Sequence, residues 1–276
     1  METINSVAEL ARATSRGTRT RPVTLPQIES IAFHGKCIGD AGAKAFASSL
    51  MRGSFPRLER IDLGEHGLGL DGTKAIAAAL ERGSFPELEE IRLSWNPIGE
   101  DGAKAFASAL EHGSLPQLKR VMLFYCGIGT EGAKALASAL ARDTFSHLAG
   151  INLSGNRIGD GGVKAFASAL ERDSFRGLIY MTLAHNVIRT EGAEALATAL
   201  ERAACPRLEG INLDWNHVSD DVLERVRNAV VGARLRGQML LFLNAECARC
   251  DAPARRFLAR DGDHAVMWRI WGFMLQ

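Results

Sequence analysis

Few side chains in this 276-residue chain stand at spacings that support covalent chemistry. Cys247 and Cys250 form one C-x-x-C, a spacing that suits a redox pair or half of a zinc site. Zinc needs two further ligands, and His264 is the only imidazole nearby. The surrounding sequence lacks the strand-to-helix pattern of a thioredoxin-like pair. The remaining histidines share no spacing, and acidic neighbours such as Glu89 and Glu90 have no nucleophile or base set against them. Glycines recur at a fixed interval, as turn residues do, and none forms a phosphate-cradling loop. The pattern nominates no catalytic residue, no metal site and no cofactor. The chain is expected not to be an enzyme.

The chemistry that does stand out is aromatic. Between residues 25 and 237 the only tryptophans and tyrosines are Trp95, Tyr125, Tyr180 and Trp215, with Phe124 and Met122 beside Tyr125. Rings of this kind desolvate a large area at small entropic cost, which is the usual make-up of a protein-binding hot spot. The alternative is that they pack against one another across adjacent strands.

These rings are placed by a repeat. Leu58, Leu88, Leu118, Leu148, Leu178 and Leu208 recur every 30 residues, and Ile28 completes the column. The unit reads L-x-x-I-x-L-x-x-N-x-I-G-x-x-G-A-K-A-F-A-S-A-L, as from Leu148 with Asn156 at the ninth place. Ile151 and Leu153 alternate with Asn152, the pattern of a short half-buried strand. After a turn at Gly159 and Asp160, Val163, Phe166, Ala167 and Leu170 mark one face of a helix. An acidic residue opens every helix (Asp40, Asp71, Asp101, Glu131, Asp160, Glu191, Asp220), complementing the helix dipole. Gly53, Gly83 and Gly113 follow the last helical turn and are expected as C-terminal caps. Phe55, Phe85, Leu115, Phe145 and Phe175 form a further column expected in the core. One unit cannot bury its own apolar side, so neighbours must stack into a solenoid.

On L-x-x-I-x-L followed by Asn or Cys, the chain resembles the leucine-rich repeats, in particular the long helix-containing class of ribonuclease inhibitor. The resemblance implies an α/β solenoid of about seven 30-residue repeats, a horseshoe with a concave parallel sheet and convex helices. The family expects Asn or Cys at the ninth place to hydrogen-bond the turning backbone. Asn96, Cys126, Asn156, Asn186 and Asn216 comply, whereas Lys36 and His66 depart and imply irregular first turns. Trp95, Tyr125, His185 and Trp215 share the eighth place, which elsewhere holds Gly35, Glu65 and Gly155. Tyr180 lies within a strand of the same face. Repeats two and three add Glu59, Arg60, Asp62, Glu65, Glu89, Glu90 and Arg92, repeat four Lys119 and Arg120. Repeat five is nearly blank, with Gly150, Asn152, Ser154 and Gly155. The expected surface is therefore an acidic N-terminal half, an aromatic middle and a small polar gap. Outside, Lys44, Lys74, Lys104, Lys134 and Lys164 form a column, read as a solvated helix face copied with the repeat.

The ends are less regular. Residues 1–24 are read as a lead-in or cap with a helix over Val7–Ala13; Arg12, Arg16, Arg19 and Arg21 among Ser and Thr mildly resemble a transit peptide. Residues 25–237 carry the repeats, and 238–276 are read as a C-terminal cap that hides the open core end. Within it, Met239–Leu243 is expected as a closing strand. Val266, Ile270, Trp271 and Phe273 fall at the spacing of the first helix of an F-box, the module that couples leucine-rich receptors to ubiquitin ligases.

Net charge is +1 with 24% charged residues, so no global field favours nucleic acid or membrane. No apolar run reaches transmembrane length, and five scattered cysteines suggest reduced thiols. The expectation is a cytoplasmic, monomeric protein-interaction module binding a partner protein through Trp95, Met122, Phe124, Tyr125, Tyr180, His185 and Trp215. Recognition domains of nucleotide-binding immune receptors are similar. The resemblance also admits a Ran-type GTPase-activating protein, although residues 238–276 lack that family's acidic tail, or a ubiquitin-ligase substrate receptor.

Overall fold

The computed structural model describes residues 2–17, 22–33, 37–172 and 174–249. Strands β1 (Glu2–Ile4), β3 (Ile28–Ala32), β5 (Arg60–Asp62), β6 (Glu90–Arg92), β7 (Arg120–Met122), β8 (Gly150–Asn152), β9 (Tyr180–Thr182) and β10 (Gly210–Asn212) form one parallel sheet in chain order. The repeat period is also the pairing register: Ile61 lies opposite Ile91, Ile91 opposite Val121, and Val121 opposite Ile151. On the convex side run α2 (Gly39–Arg52), α3 (Leu70–Arg82), α4 (Gly99–His112), α5 (Gly129–Leu140), α6 (Asp160–Glu171) and α7 (Thr190–Arg202), each packed on the next. A minor two-stranded pairing joins β2 (Val23–Thr24) to β4 (Gly53–Ser54).

The core is the repeated one. Leu58, Leu88, Leu118, Leu148, Leu178 and Leu208 are fully buried, as are the column from Phe55 to Phe175 and the helix faces represented by Phe166 and Leu170. Buried amides hold the turns. Asn156 accepts from the backbone N–H groups of Cys126 (2.8 Å) and Ile128 (3.3 Å) and donates to the carbonyls of Leu123 and Leu153. Asn96, Asn186 and Asn216 repeat this pattern, so each amide stitches two repeats together.

Several details differ from the sequence expectation. The turn at His66 is regular: its buried ring reaches the Phe33 carbonyl through Nε2 at 3.1 Å, the same 33-residue step that Asn96 spans to Leu63. An imidazole N–H there supplies the donor that an amide gives elsewhere. Gly53, Gly83 and Gly113 cap the helices as expected, donating their N–H groups to the last helical turn from an extended backbone. Space requires glycine: a Cβ on Gly83 would lie 2.4 Å from the Phe85 ring, and one on Gly53 2.5 Å from Phe55. Helix-opening acids also act across repeats, since Asp40 accepts from Gly69 (2.7 Å) and Gly72 (2.9 Å) at the start of α3. Asp160 accepts likewise from Arg189 before α7.

At the N-terminus, α1 (Val7–Ala13) forms with Ser6 as its cap, and β1 before it pairs with β3, so of the lead-in or cap that the sequence suggests these residues make a cap on the sheet. At the other end, α8 (Asp220–Arg249) is continuous, so Met239–Leu243 is helical and not a closing strand. Val222, Val226, Ala229, Val230 and Ala233 bury one face of it, and Arg236 donates to the Leu200 and Ala203 carbonyls at the end of α7. Cys247 falls on α8. Gly35, Lys36, Arg19, Arg21, Cys250, His264 and the stretch containing Val266, Ile270, Trp271 and Phe273 lie outside the described residues. No helix among the described residues is long and apolar enough to cross a membrane.

Candidate functional site

The eighth place of the unit has a backbone property that its residue types do not announce. Glu65, Trp95, Tyr125, His185 and Trp215 all have φ between 53° and 63°, and Gly155 has φ 69°. After each strand the chain must turn sharply toward the next helix, and this residue absorbs the turn in the left-handed region. A residue with a Cβ is strained there by about 1–2 kcal/mol, and glycine is the unstrained choice. Gly155 shows that glycine satisfies the turn in this protein. Four of the other repeats nonetheless carry a ring.

Those rings are set out as two stacked pairs. Trp95 and Tyr125 lie 4.2 Å apart at 13°, and His185 and Trp215 5.3 Å apart at 7°. Phe124 meets Trp95 edge-on at 6.1 Å. Stacking does not bury them: Trp95 is 50% exposed, Tyr125 40%, Tyr180 36% and Trp215 77%. His185 is also exposed, while Met122 and Phe124 are half-buried. All seven residues therefore lie on the sheet face or its adjoining turns, in two groups with Tyr180 in neither ring pair but over Gly150. Trp95, Met122, Phe124 and Tyr125 are together, and His185 stands with Trp215.

The polar gap expected in repeat five is roofed. A Cβ on Gly155 would lie 2.6 Å from the Tyr125 ring, and one on Gly150 would lie 2.3 Å from the Tyr180 ring. The two glycines are the floor over which tyrosines from the flanking repeats lean. Repeat five is blank in sequence because its neighbours occupy its space.

The acidic half is partly neutralised. Parallel register puts Arg60, Glu90 and Arg120 side by side, and Asp62 next to Arg92. Glu90 is 1% exposed and is gripped by Arg92, by Arg120 (2.9 Å) and by Arg60 (3.2 Å). Burial alone would raise its carboxyl, but the hydrogen bonds from Arg92 and Arg120 outweigh that and hold it below the usual carboxylate range. Glu89 pairs with Lys119. Asp62 keeps only a 3.9 Å approach to Arg92, and among the described residues no cation pairs with Glu59 or Glu65. Outside, Lys44, Lys104, Lys134 and Lys164 each meet a neighbouring carboxylate, so that column carries little free charge.

A groove of ≈ 450 Å³ runs over the sheet beside the first ring pair, lined by Asp62, Glu65, Arg92, Trp95, Met122 and Phe124 among others. It is open and shallow, with room for side chains of a partner and no enclosed chamber for a small substrate.

The family model described as Leucine Rich repeat matches residues 87–107, 115–137, 146–167 and 182–197, the central repeats that form this face. The chain is a leucine-rich repeat protein. Among solved structures, this leucine-rich repeat protein is similar to Leiomodin-1 Actin-Binding Site 2 (ABS2), with TM-score 0.50 and 17% identity. The match covers 65% of the present chain and 97% of the other. At that identity the likeness concerns the fold. No curated protein matches the sequence.

Proposed function

We propose that this solenoid is a non-catalytic interaction module, of the ribonuclease-inhibitor-like class, that takes a partner protein on its concave face. Twelve- to fourteen-residue helices in the repeats support the subclass. The observation that carries the function is the column of exposed rings at left-handed positions. The backbone at these positions favours glycine, yet the fold keeps Trp95, Tyr125, His185 and Trp215 there, and left-handed strain retained at exposed rings points to use. The proposed contact surface is Trp95, Met122, Phe124, Tyr125, Tyr180, His185 and Trp215, acting in a monomer in the cytoplasm. Actin binding, which the solved relative carries in its name, would be one form of such recognition.

Affinity purification with the intact chain as bait, followed by mass spectrometry, identifies the partner. Parallel baits carrying Tyr125→Ala or Trp95→Ala should lose it, whereas Lys104→Ala and Lys134→Ala should retain it. Retention by the ring variants would refute the concave reading.

A further inference from the structure

We infer that the groove on the N-terminal side of Trp95 takes a basic side chain of the partner protein, arginine ahead of lysine. The inference rests on the concave-face reading and adds the chemistry of what is recognised. Tyr125 covers one face of the Trp95 indole at 4.2 Å, and Trp95 lines the groove together with Gly64 and Glu65 of the preceding turn. There the same column carries Glu65, exposed at φ 63°, beside Gly64, which leaves the approach open. The two turns are held in register by the Glu65 N–H donating to the Ser94 carbonyl at 3.0 Å, directly before Trp95. Asp62 completes the wall: one carboxylate oxygen accepts from the Gly64 N–H at 3.1 Å, and its other oxygen is 3.9 Å from Arg92.

A half-exposed indole in a groove that two carboxylates also line attracts cations twice, through the ring quadrupole and through charge. The one cation lining the groove among the described residues, Arg92, answers this demand only in part: it is held on buried Glu90, comes no nearer to Asp62 than 3.9 Å and leaves Glu65 without a cation. Charge complementarity therefore selects a positive side chain from outside. A guanidinium fits better than an ammonium, since it is planar, stacks on an indole and presents separate N–H donors to Glu65 and Asp62. Met122 and Phe124 deeper in the groove would receive an apolar residue next to it.

The probe is a set of peptides, Ac-Gly-Leu-X-Leu-Gly-amide with X arginine, lysine, glutamine or glutamate, titrated into the full-length ¹⁵N-labelled protein. The arginine peptide should move the Trp95 indole N–H resonance and bind about tenfold more tightly than the glutamine peptide, with lysine between them. Raising the salt concentration should weaken the arginine peptide selectively. Glu65→Gln should reduce that preference roughly threefold to tenfold, and Glu81→Gln, on the outer helix α3, should not change it. Equal binding of all four peptides at Trp95 would overturn the basic preference while leaving the concave reading in place. Shifts confined to the outer helices would overturn both. No arginine-dependent shift at Trp95, or an unchanged preference in Glu65→Gln, would also refute the proposal.

Discussion

At Trp95 and Tyr125, glycine should make a more stable protein than alanine, the reverse of the order expected at most ordered positions. Alanine and glycine both remove the ring, so both lose the Trp95–Tyr125 stack, worth about 0.5–1.5 kcal/mol beyond area burial. They differ in the backbone. At φ 59° for Trp95 and 54° for Tyr125, alanine keeps a strain of about 1–2 kcal/mol that glycine does not have. Glycine gives back about 0.4–1 kcal/mol through the greater freedom of the unfolded chain. The difference leaves Trp95→Gly above Trp95→Ala by about 0.5–1 kcal/mol, or about 1–4 °C in melting temperature for a chain of this size. Paired urea and thermal denaturation of the four variants measures it. The control is Lys164 on α6, where glycine should fall below alanine by about 1 kcal/mol in the ordinary helical order. Alanine equal to or above glycine at both 95 and 125 would show that the turn imposes no left-handed strain. The argument from retained strain to function would then fail.

Other outcomes follow from the packing. Glu90→Gln removes the buried carboxylate that three partly exposed guanidinium groups share and should cost about 1.5–3 kcal/mol by urea denaturation, whereas exposed Glu81→Gln should change little. Because Glu90 is held below its unfolded value, its contribution is fully present above the ordinary carboxylate range and is lost as pH falls through the lowered native value; the stability gap between wild type and Glu90→Gln should narrow with acidification, and a widening gap would contradict the pairing. Leu153→Ala, at a fully buried position, should cost about 2–5 kcal/mol; Lys164→Ala, an exposed pair with Glu191, should leave the midpoint nearly unchanged, and equal midpoints for the two variants would mean the register is misassigned. Burial pushes the Cys126 thiol up to about 12, so native iodoacetamide labelling read by mass spectrometry should modify exposed Cys37 and spare Cys126 until the protein unfolds.

The core is legible in the sequence because burial repeats: Leu58 through Leu208, the phenylalanine column and the helix faces each recur at one spacing, and that spacing is the strand register. What one sequence line hides is the relation between lines. Arg60, Glu90 and Arg120 look like separate surface charges until the repeats are set side by side, where parallel pairing turns them into one cluster around a buried carboxylate. Gly150 and Gly155 look like an empty repeat because the rings that fill it belong to residues 30 positions away. The left-handed eighth place does have a signal, Gly35 and Gly155 in a column otherwise rich in rings, which the aromatic pattern overshadows. The glycines after the helices are legible as caps, whereas the clearance that Gly53 and Gly83 give the Phe55 and Phe85 rings shows only in the packing. Where periodicity fades, legibility fades with it: Met239–Leu243 has a strand's composition but continues α8, and β1 is too short to announce itself.

The central claim is that the partner is held by the concave rings. The most direct measurement is isothermal titration of the isolated partner against wild type, Trp95→Ala, Tyr125→Ala, Lys104→Ala and Lys134→Ala. The account predicts that each ring variant loses about 2 kcal/mol or more of affinity, roughly thirtyfold, while the lysine variants stay close to wild type. Lysine variants that lose binding while the ring variants keep it would place the contact on the convex helices and contradict the account.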